Sequence, residues 1–291
     1  MQEISWEIAL STCLEELVSD RQFLPRTETN LTEAHHLVES MRYSFLAPGK
    51  RIRPRLLEAS ASLFSLPEKA VTWAGVAIEM VHCFTLIHDD MPCLDNDDFR
   101  RGRPSNHRKF NEATALLAGD ALFSHAFSAL SKTQDQCDPS GVVRAISRLA
   151  QAVGTRGVIG GQMLEFDLKA FPNLPLLEQV HQMKTSALFE ATLLIPLDLA
   201  AVKSLAPEKT QSLEKFSRAI GMSFQALDDL EDPPEEAKSE KNLLKYRSRG
   251  DVQSSFVALL QSSRLELQEA WGIALDHRLL QISLDLQNRF R

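Results

Sequence analysis

Glycine is scarce in this 291-residue chain, at twelve, and the alternating Val/Ile/Thr stretches closed by tight-turn pairs that mark strands are missing. That excludes a sandwich or a barrel. Four cysteines, Cys13, Cys83, Cys93 and Cys137, show neither CxxC spacing nor the density of a disulfide scaffold. They exclude structural zinc and fit reduced thiols in the cytoplasm. Positive charge is also short: 32 Lys and Arg stand against 39 Asp and Glu, a net charge of -7 that offers no basic field to nucleic acid. The opening MQEISWEIAL lacks a basic start followed by a long apolar run, and the most apolar later stretches carry Glu79, Glu190 and Asp198. Neither a signal peptide nor a membrane span is expected.

What is present is a 44% hydrophobic content with apolar residues at three-to-four spacing almost throughout, enough for a sizeable helical core. Helices are expected over residues 3–19, 31–45, 52–64, 68–88, 112–130, 142–154, 176–202 with a kink at Pro196, 208–231, and most of 251–291. Breaks fall at Pro48-Gly49, Pro67, Pro92, Asp138-Pro139, residues 172–175, Pro207 and Pro233-Pro234. None is long enough to link domains. The expectation is an all-α fold over residues 1–291, a single-domain bundle of about ten or more helices around a central cavity.

His88 to Pro104 reads HDDMPCLDNDDFRRGRP. A run of aspartates is usually a solvated loop, but here AGVAIEMVHCFTLI precedes it, so Asp89 and Asp90 close a helix that should be buried. Carboxylates crowded there must take up protons or share a cation, and Asp oxygens suit magnesium better than zinc or copper. Pro92 lets DDMPCLD curl so that Asp89 and Asp95 face one ion. An EF-hand is set aside because its alternating acids and glycine are absent. A metal phosphohydrolase remains as an alternative; His82, His107, His125 and His181 would be its ligands.

A second cluster, FQALDDLEDPP, again closes an apolar helical stretch. Asp228 and Asp232, four apart, share a helix face. Two such motifs on separate helices could form opposite walls of a site for several magnesium ions and a strongly anionic ligand. Arg100, Arg101 and Arg103 then serve as fork donors to a diphosphate. APGKRIRP adds Gly49, Lys50, Arg51 and Arg53, QMKTSA adds Lys184 and Thr185, and the segment after the second motif adds Lys238, Lys241 and Lys245. His82 lies seven residues before Asp89, two helical turns away on the same face.

GKRIRP, HCFTLIHDDMPCLDNDDFRRGRPSNH, GGQMLEFDL, HQMKTSALF and FQALDDLED, in that order, resemble the trans-isoprenyl diphosphate synthases, or polyprenyl synthetases. DDMPCLD, with extra residues inside the first acidic motif, is similar to the bacterial-type farnesyl and plant-type geranylgeranyl diphosphate synthases. The resemblance implies an isoprenoid synthase bundle and a homodimer. It implies magnesium, about three ions brought together with an allylic diphosphate, held by Asp89, Asp90, Asp95, Asp228 and Asp232. Arg100, Lys184, Gln225 and Lys238 would grip that diphosphate. Gly49, Lys50, Arg53, His82 and Arg101 would form the metal-free pocket for isopentenyl diphosphate. Metals and cationic side chains stabilise the leaving diphosphate, and a dry pocket protects the allylic cation until the alkene attacks. The Thr185 hydroxyl and Gln225 carbonyl would stabilise that cation, and the released diphosphate would take the final proton.

Two places depart from the family pattern. Glu165 stands where GGQMLEFDL should carry aspartate, and DPPEEAKSEKNLLKY is shortened and lacks the glycines that accompany its lysine. A non-catalytic partner subunit is therefore a further alternative. Below Asp89, Thr85 lies on the same face and is small, while Phe84 is rotated away from it. An aromatic at Phe84 resembles short-chain enzymes, so a ten- or fifteen-carbon product is expected, farnesyl diphosphate preferred and geranylgeranyl diphosphate the alternative.

Overall fold

The computed structural model describes residues 5–18, 32–202 and 204–290. The chain divides into two compact units, Met1–Glu58 with Leu66–Val142 and Ala59–Ser65 with Val143–Arg291.

The first unit is built on α4 (Glu68–Asp89), packed against α6 (Glu112–Ser131) and flanked by α1 (Trp6–Val18), α2 (Thr32–Phe45) and the start of α3 (Ile52–Ala61). From Ala70 to Ile87, α4 is buried at almost every position, including Val71, Trp73, Val76, Ile78, Met80, Val81 and Phe84. That burial explains its apolarity. By length and composition α4 and the segment Glu112–Asp135 would suffice to cross a membrane, but 78% of the most apolar window of α4 lies inside the fold. The second segment is 39% buried, and α6 exposes Leu116 and Leu117.

The second unit is built on α11 (Pro207–Glu231), packed against α12 (Arg249–Trp271) and α10 (Ala187–Ala200). Around these lie α7 (Pro139–Val153), α8 (Val158–Ala170), α9 (Leu174–Val180) and α13 (Arg278–Asn288). Leu213, Phe216, Ile220 and Leu227 of α11 supply its core.

The all-α expectation agrees with this architecture, with three local differences. FRRGRP forms a two-stranded antiparallel hairpin, β1 (Phe99–Arg100) and β2 (Arg103–Pro104), before the short α5 (Asn106–Lys109). Its turn residues Arg101 (φ 54°) and Gly102 (φ 73°) are both left-handed, the conformation a two-residue hairpin turn needs. Residues 158–170, outside every expected helix, form α8. A Cβ on its Gly161 would stand 2.4 Å from the Lys184 backbone nitrogen, so the glycine permits close helix approach. The expected helix 176–202 is interrupted by a π-turn at His181–Ser186; the hydrophobic period carries no sign of it.

Candidate functional site

In the first unit, α4 ends at Asp89 and the following loop does curl. Asp95 N donates to the Asp89 carbonyl (2.9 Å), Leu94 N to Met91 O (2.9 Å) and Asp97 N to Asp90 O (3.2 Å). Asp89 is half-buried and Asp95 exposed. Asp90 differs from both: it is 2% exposed and takes the Arg100 guanidinium, whose Nε lies 2.8 Å from Oδ1. Burial pushes the Asp90 carboxyl up, and Arg100 opposes that shift. The expected metal ligand Asp90 and the expected phosphate donor Arg100 are thus engaged with each other, Arg100 also reaching Asp97 (3.1 Å). The hairpin is the cause, because it folds Arg100 back beneath the helix end. Arg103, expected as a fork donor, instead stacks over Tyr43, 4.1 Å from the ring centroid.

The same hairpin carries Arg101 toward the Pro48-Gly49 segment. Its Nη1 donates to Pro48 O (3.3 Å), and a Cβ on Gly49 would fall 2.7 Å from it. His82 is held neutral by burial first, then by the positive charge of Arg53, Arg101, Arg51 and Arg100, which together keep its pKa well below the usual value. Gly49, Arg53, His82 and Arg101 are therefore neighbours. Lys50 is exposed beside them in sequence. Arg51, read as one of the phosphate-facing cations, turns inward to Glu79 instead (2.6 Å).

Phe84 is buried, its ring 4.9 Å from Phe123 of α6 and 5.6 Å from His88. Phe127 extends this aromatic row, 5.2 Å beyond Phe123. Thr85 turns its hydroxyl back to the His82 carbonyl (2.8 Å).

In the second unit the π-turn places Lys184 and Thr185. Lys184 Nζ donates to Glu165 Oε2 (2.7 Å), and the other oxygen of Glu165 takes Lys241. Burial would raise the Glu165 carboxyl, but Lys184 and Lys241 together hold it below the usual carboxylate range. Thr185 Oγ1 donates to Gln225 Oε1 (2.7 Å), and Gln225 Nε2 donates to Asp229 Oδ1 (2.9 Å). Asp229 is buried, accepting from Leu243 N at Oδ2 (2.9 Å). Asn242 Nδ2 donates to the Asp229 carbonyl and to Asp232 Oδ2, 2.9 Å each. His181 closes this knot, with Nε2 3.2 Å from Lys241 O and 3.9 Å from Asp229 Oδ2.

Of the three candidate lysines after the second motif, Lys241 is the one brought to Lys184. Lys238 is exposed in a 3₁₀ turn, and Lys245 pairs with Glu240. The expected choice of Lys238 is thus displaced by Lys241, because the Asp229–Asn242 knot reels the shortened segment inward. Sequence offers no signal for Asn242 or His181 in this role.

Asp228 is exposed, yet enough of the fold surrounds it that burial, then Glu231, push its carboxyl up to about 6; Asp229 rises to about 6 through burial. Asp232, half-buried, is raised by burial too. Among the described residues no group of three or more His, Cys, Asp or Glu side chains is assembled to hold a metal, and the one expected histidine ligand paired with an aspartate of the second motif, His181, meets Asp229 alone. Asp89 and Asp95 in one unit, and Asp228 and Asp232 in the other, offer few carboxylate oxygens each. Such a donor set fits magnesium that keeps waters and takes phosphate oxygens, rather than a metal caged by protein.

Residues 34–255 match the polyprenyl synthetase family model. The heterodimeric geranylgeranyl pyrophosphate synthase large subunit 1 of Arabidopsis thaliana is 42% identical over 214 residues, 72% of this chain and 57% of its own length. The chloroplastic geranylgeranyl pyrophosphate synthase of Capsicum annuum is 41% identical over 202 residues, 69% of this chain and 54% of its own. The chain thus spans a little over half the length of these curated relatives. Two solved structures superpose over nearly all of it. A geranyltransferase from Legionella pneumophila has a TM-score of 0.83 at 26% identity, covering 98% of this chain and 94% of its own. An FPP/GFPP synthase from Zymomonas mobilis has a TM-score of 0.80 at 33% identity, covering 96% and 99%.

Proposed function

The chain belongs to the polyprenyl synthetase family, and from that premise we propose that it is a short-chain trans-prenyltransferase condensing isopentenyl diphosphate with an allylic diphosphate. The observation that carries this reading is the paired lysine site, Lys184 and Lys241 on one buried Glu165 with the Thr185–Gln225–Asp229 chain beside it. Two ammonium groups next to two fixed oxygen dipoles suit a leaving diphosphate and a cation formed from the same molecule.

Magnesium held by Asp89, Asp95, Asp228 and Asp232 would neutralise the diphosphate as its bond to carbon breaks. Asp90 acts behind them by fixing Arg100. Lys184 and Lys241 share the departing charge. Asp229 holds the Gln225 amide, so that its carbonyl and the Thr185 hydroxyl face the allylic carbon, and their lone pairs stabilise the cation. Lys50, Arg53, neutral His82 and Arg101 bind isopentenyl diphosphate, whose alkene attacks the cation before the diphosphate removes the proton. Homodimer assembly belongs to the same proposal.

The product we favour is geranylgeranyl diphosphate, the product named in the curated relatives near 40% identity. Farnesyl diphosphate keeps the support of buried Phe84 and of the Zymomonas mobilis neighbour. The purified chain is to be incubated with dimethylallyl and labelled isopentenyl diphosphates, with and without magnesium, and products separated by length. Magnesium-dependent prenyl diphosphates are expected. Inorganic phosphate without chain growth would point to a phosphohydrolase, and no turnover to a non-catalytic partner subunit.

A further inference from the structure

Arg51 is the one member of APGKRIRP whose charge is buried. It is 8% exposed, its backbone is left-handed at φ 47°, and its guanidinium makes contacts in two directions. Nη1 donates to Glu79 Oε1 (2.6 Å), while Nη2 donates to Phe45 O (3.2 Å) and Ala47 O (2.6 Å). Glu79 lies in the middle of α4, three residues before His82, and both side chains of the pair are almost wholly out of water.

A buried ion pair is a poor device for stability, because apolar side chains of similar volume do as well or better. A non-glycine residue in left-handed backbone adds a further cost. What this pair supplies is geometry. Arg51 ties the carbonyls that end α2 to the core helix, and Arg101 ties the next carbonyl, Pro48 O. Between these two anchors stand Gly49 and Lys50, and Arg53 follows on the first turn of α3.

We propose that the Arg51–Glu79 pair is the positioning device of the isopentenyl diphosphate pocket, clamping residues 45–51 onto α4 so that Lys50 and Arg53 are presented beside His82 and Arg101. Neither Arg51 nor Glu79 touches the ligand. The inference rests on the prenyltransferase reading for the identity of that ligand. A lysine cannot replace Arg51, since a single ammonium does not reach a carboxylate and two carbonyls on different sides.

The test uses the full chain as wild type, as Arg51→Lys, and as the double variant Arg51→Met/Glu79→Leu, which leaves no orphaned buried charge. Binding of isopentenyl diphosphate is measured by calorimetry without metal, steady-state kinetics are run with each substrate varied, and thermal melting is followed in parallel. In both variants the Kd and KM for isopentenyl diphosphate should rise about tenfold, with the allylic KM and kcat within about twofold of wild type. The double variant should melt near the wild type. An unchanged Kd for isopentenyl diphosphate, or both KM values rising together with a fall in melting temperature, overturns the proposal and leaves the pair a structural one. If the wild type binds isopentenyl diphosphate but makes no product, the proposed activity fails while the positioning role stands on the binding data. If the wild type does not bind it, both fail.

Discussion

At Glu165 the extra methylene over aspartate lets one carboxylate meet two lysines, Lys184 at 2.7 Å and Lys241 on the other oxygen. Shortening it by one carbon should release one lysine, and neutralising it should release both. Glu165→Asp is expected to lower kcat/KM for the allylic substrate about tenfold and Glu165→Gln about a hundredfold, read by steady-state kinetics with isopentenyl diphosphate saturating. The pH sign follows from the depressed carboxyl. The stability it contributes is present at neutral pH and is lost only as pH falls through that lowered value. Phe84 is the second informative residue. Its ring closes against Phe123 and His88, so Phe84→Ala removes a wall of the first unit at a cost of about 3 kcal/mol. Products of Phe84→Ala, extracted and sized after labelling, should be longer than those of the wild type. An unchanged length distribution would place the floor of the tail pocket elsewhere.

At the scale of elements, the π-turn His181–Ser186 presents Lys184 and Thr185 while sinking His181 into the knot with Asp229 and Lys241. Burial lowers the His181 pKa to about 4 from 6.5, against the opposing pull of the Lys241 carbonyl, Glu165 and Glu178, and with Lys184 adding to the fall. A base depressed in the folded state stays neutral there while the unfolded chain takes up a proton. Stability is therefore full above pH 6.5 and declines as pH drops toward 4. At pH 5 the loss amounts to about 2 kcal/mol. The raised carboxyls of Asp228 and Asp229 work in the opposite direction over pH 6 to 4. Comparison with a variant isolates the histidine: His181→Gln should show a fall in unfolding free energy from urea titration between pH 7 and pH 5 that is smaller by that amount. Equal falls would remove His181 from the acid response.

At the scale of the whole molecule, the proposed chemistry needs divalent ions and a diphosphate to be bound together, because each aspartate cluster brings few oxygens of its own. Magnesium with inorganic diphosphate should raise the melting temperature by about 2 °C, the shift that ~1 kcal/mol of linked binding produces in a chain of this length, and neither component alone should do so. Asp89→Asn and Asp228→Asn should each abolish the shift. In a crystal grown with both components, metal should be found at Asp89 or Asp95 and also at Asp228 or Asp232. Metal at one cluster alone would overturn that reading.

The sequence by itself determined the helical class, the ends of α4 and α11 where carboxylates collect, and the break at Pro48-Gly49 with the basic residues that follow it. Each follows from local causes: apolar periodicity, proline breaks and charge spacing. It also carried the motifs of the polyprenyl synthetase family. Which of the charged residues face a ligand was decided elsewhere. Asp90 with Arg100, Arg51 with Glu79, and Glu165 with Lys184 and Lys241 are pairs separated by 10, 28, 19 and 76 positions. Identical residue types at the same spacing could point outward or inward, and only the packing of α8 on the π-turn, the left-handed turn at Arg101-Gly102 and the burial around α4 select between them. A charge in water costs little in either direction, whereas a charge carried into the interior must find its partner, and that partner is supplied by tertiary structure.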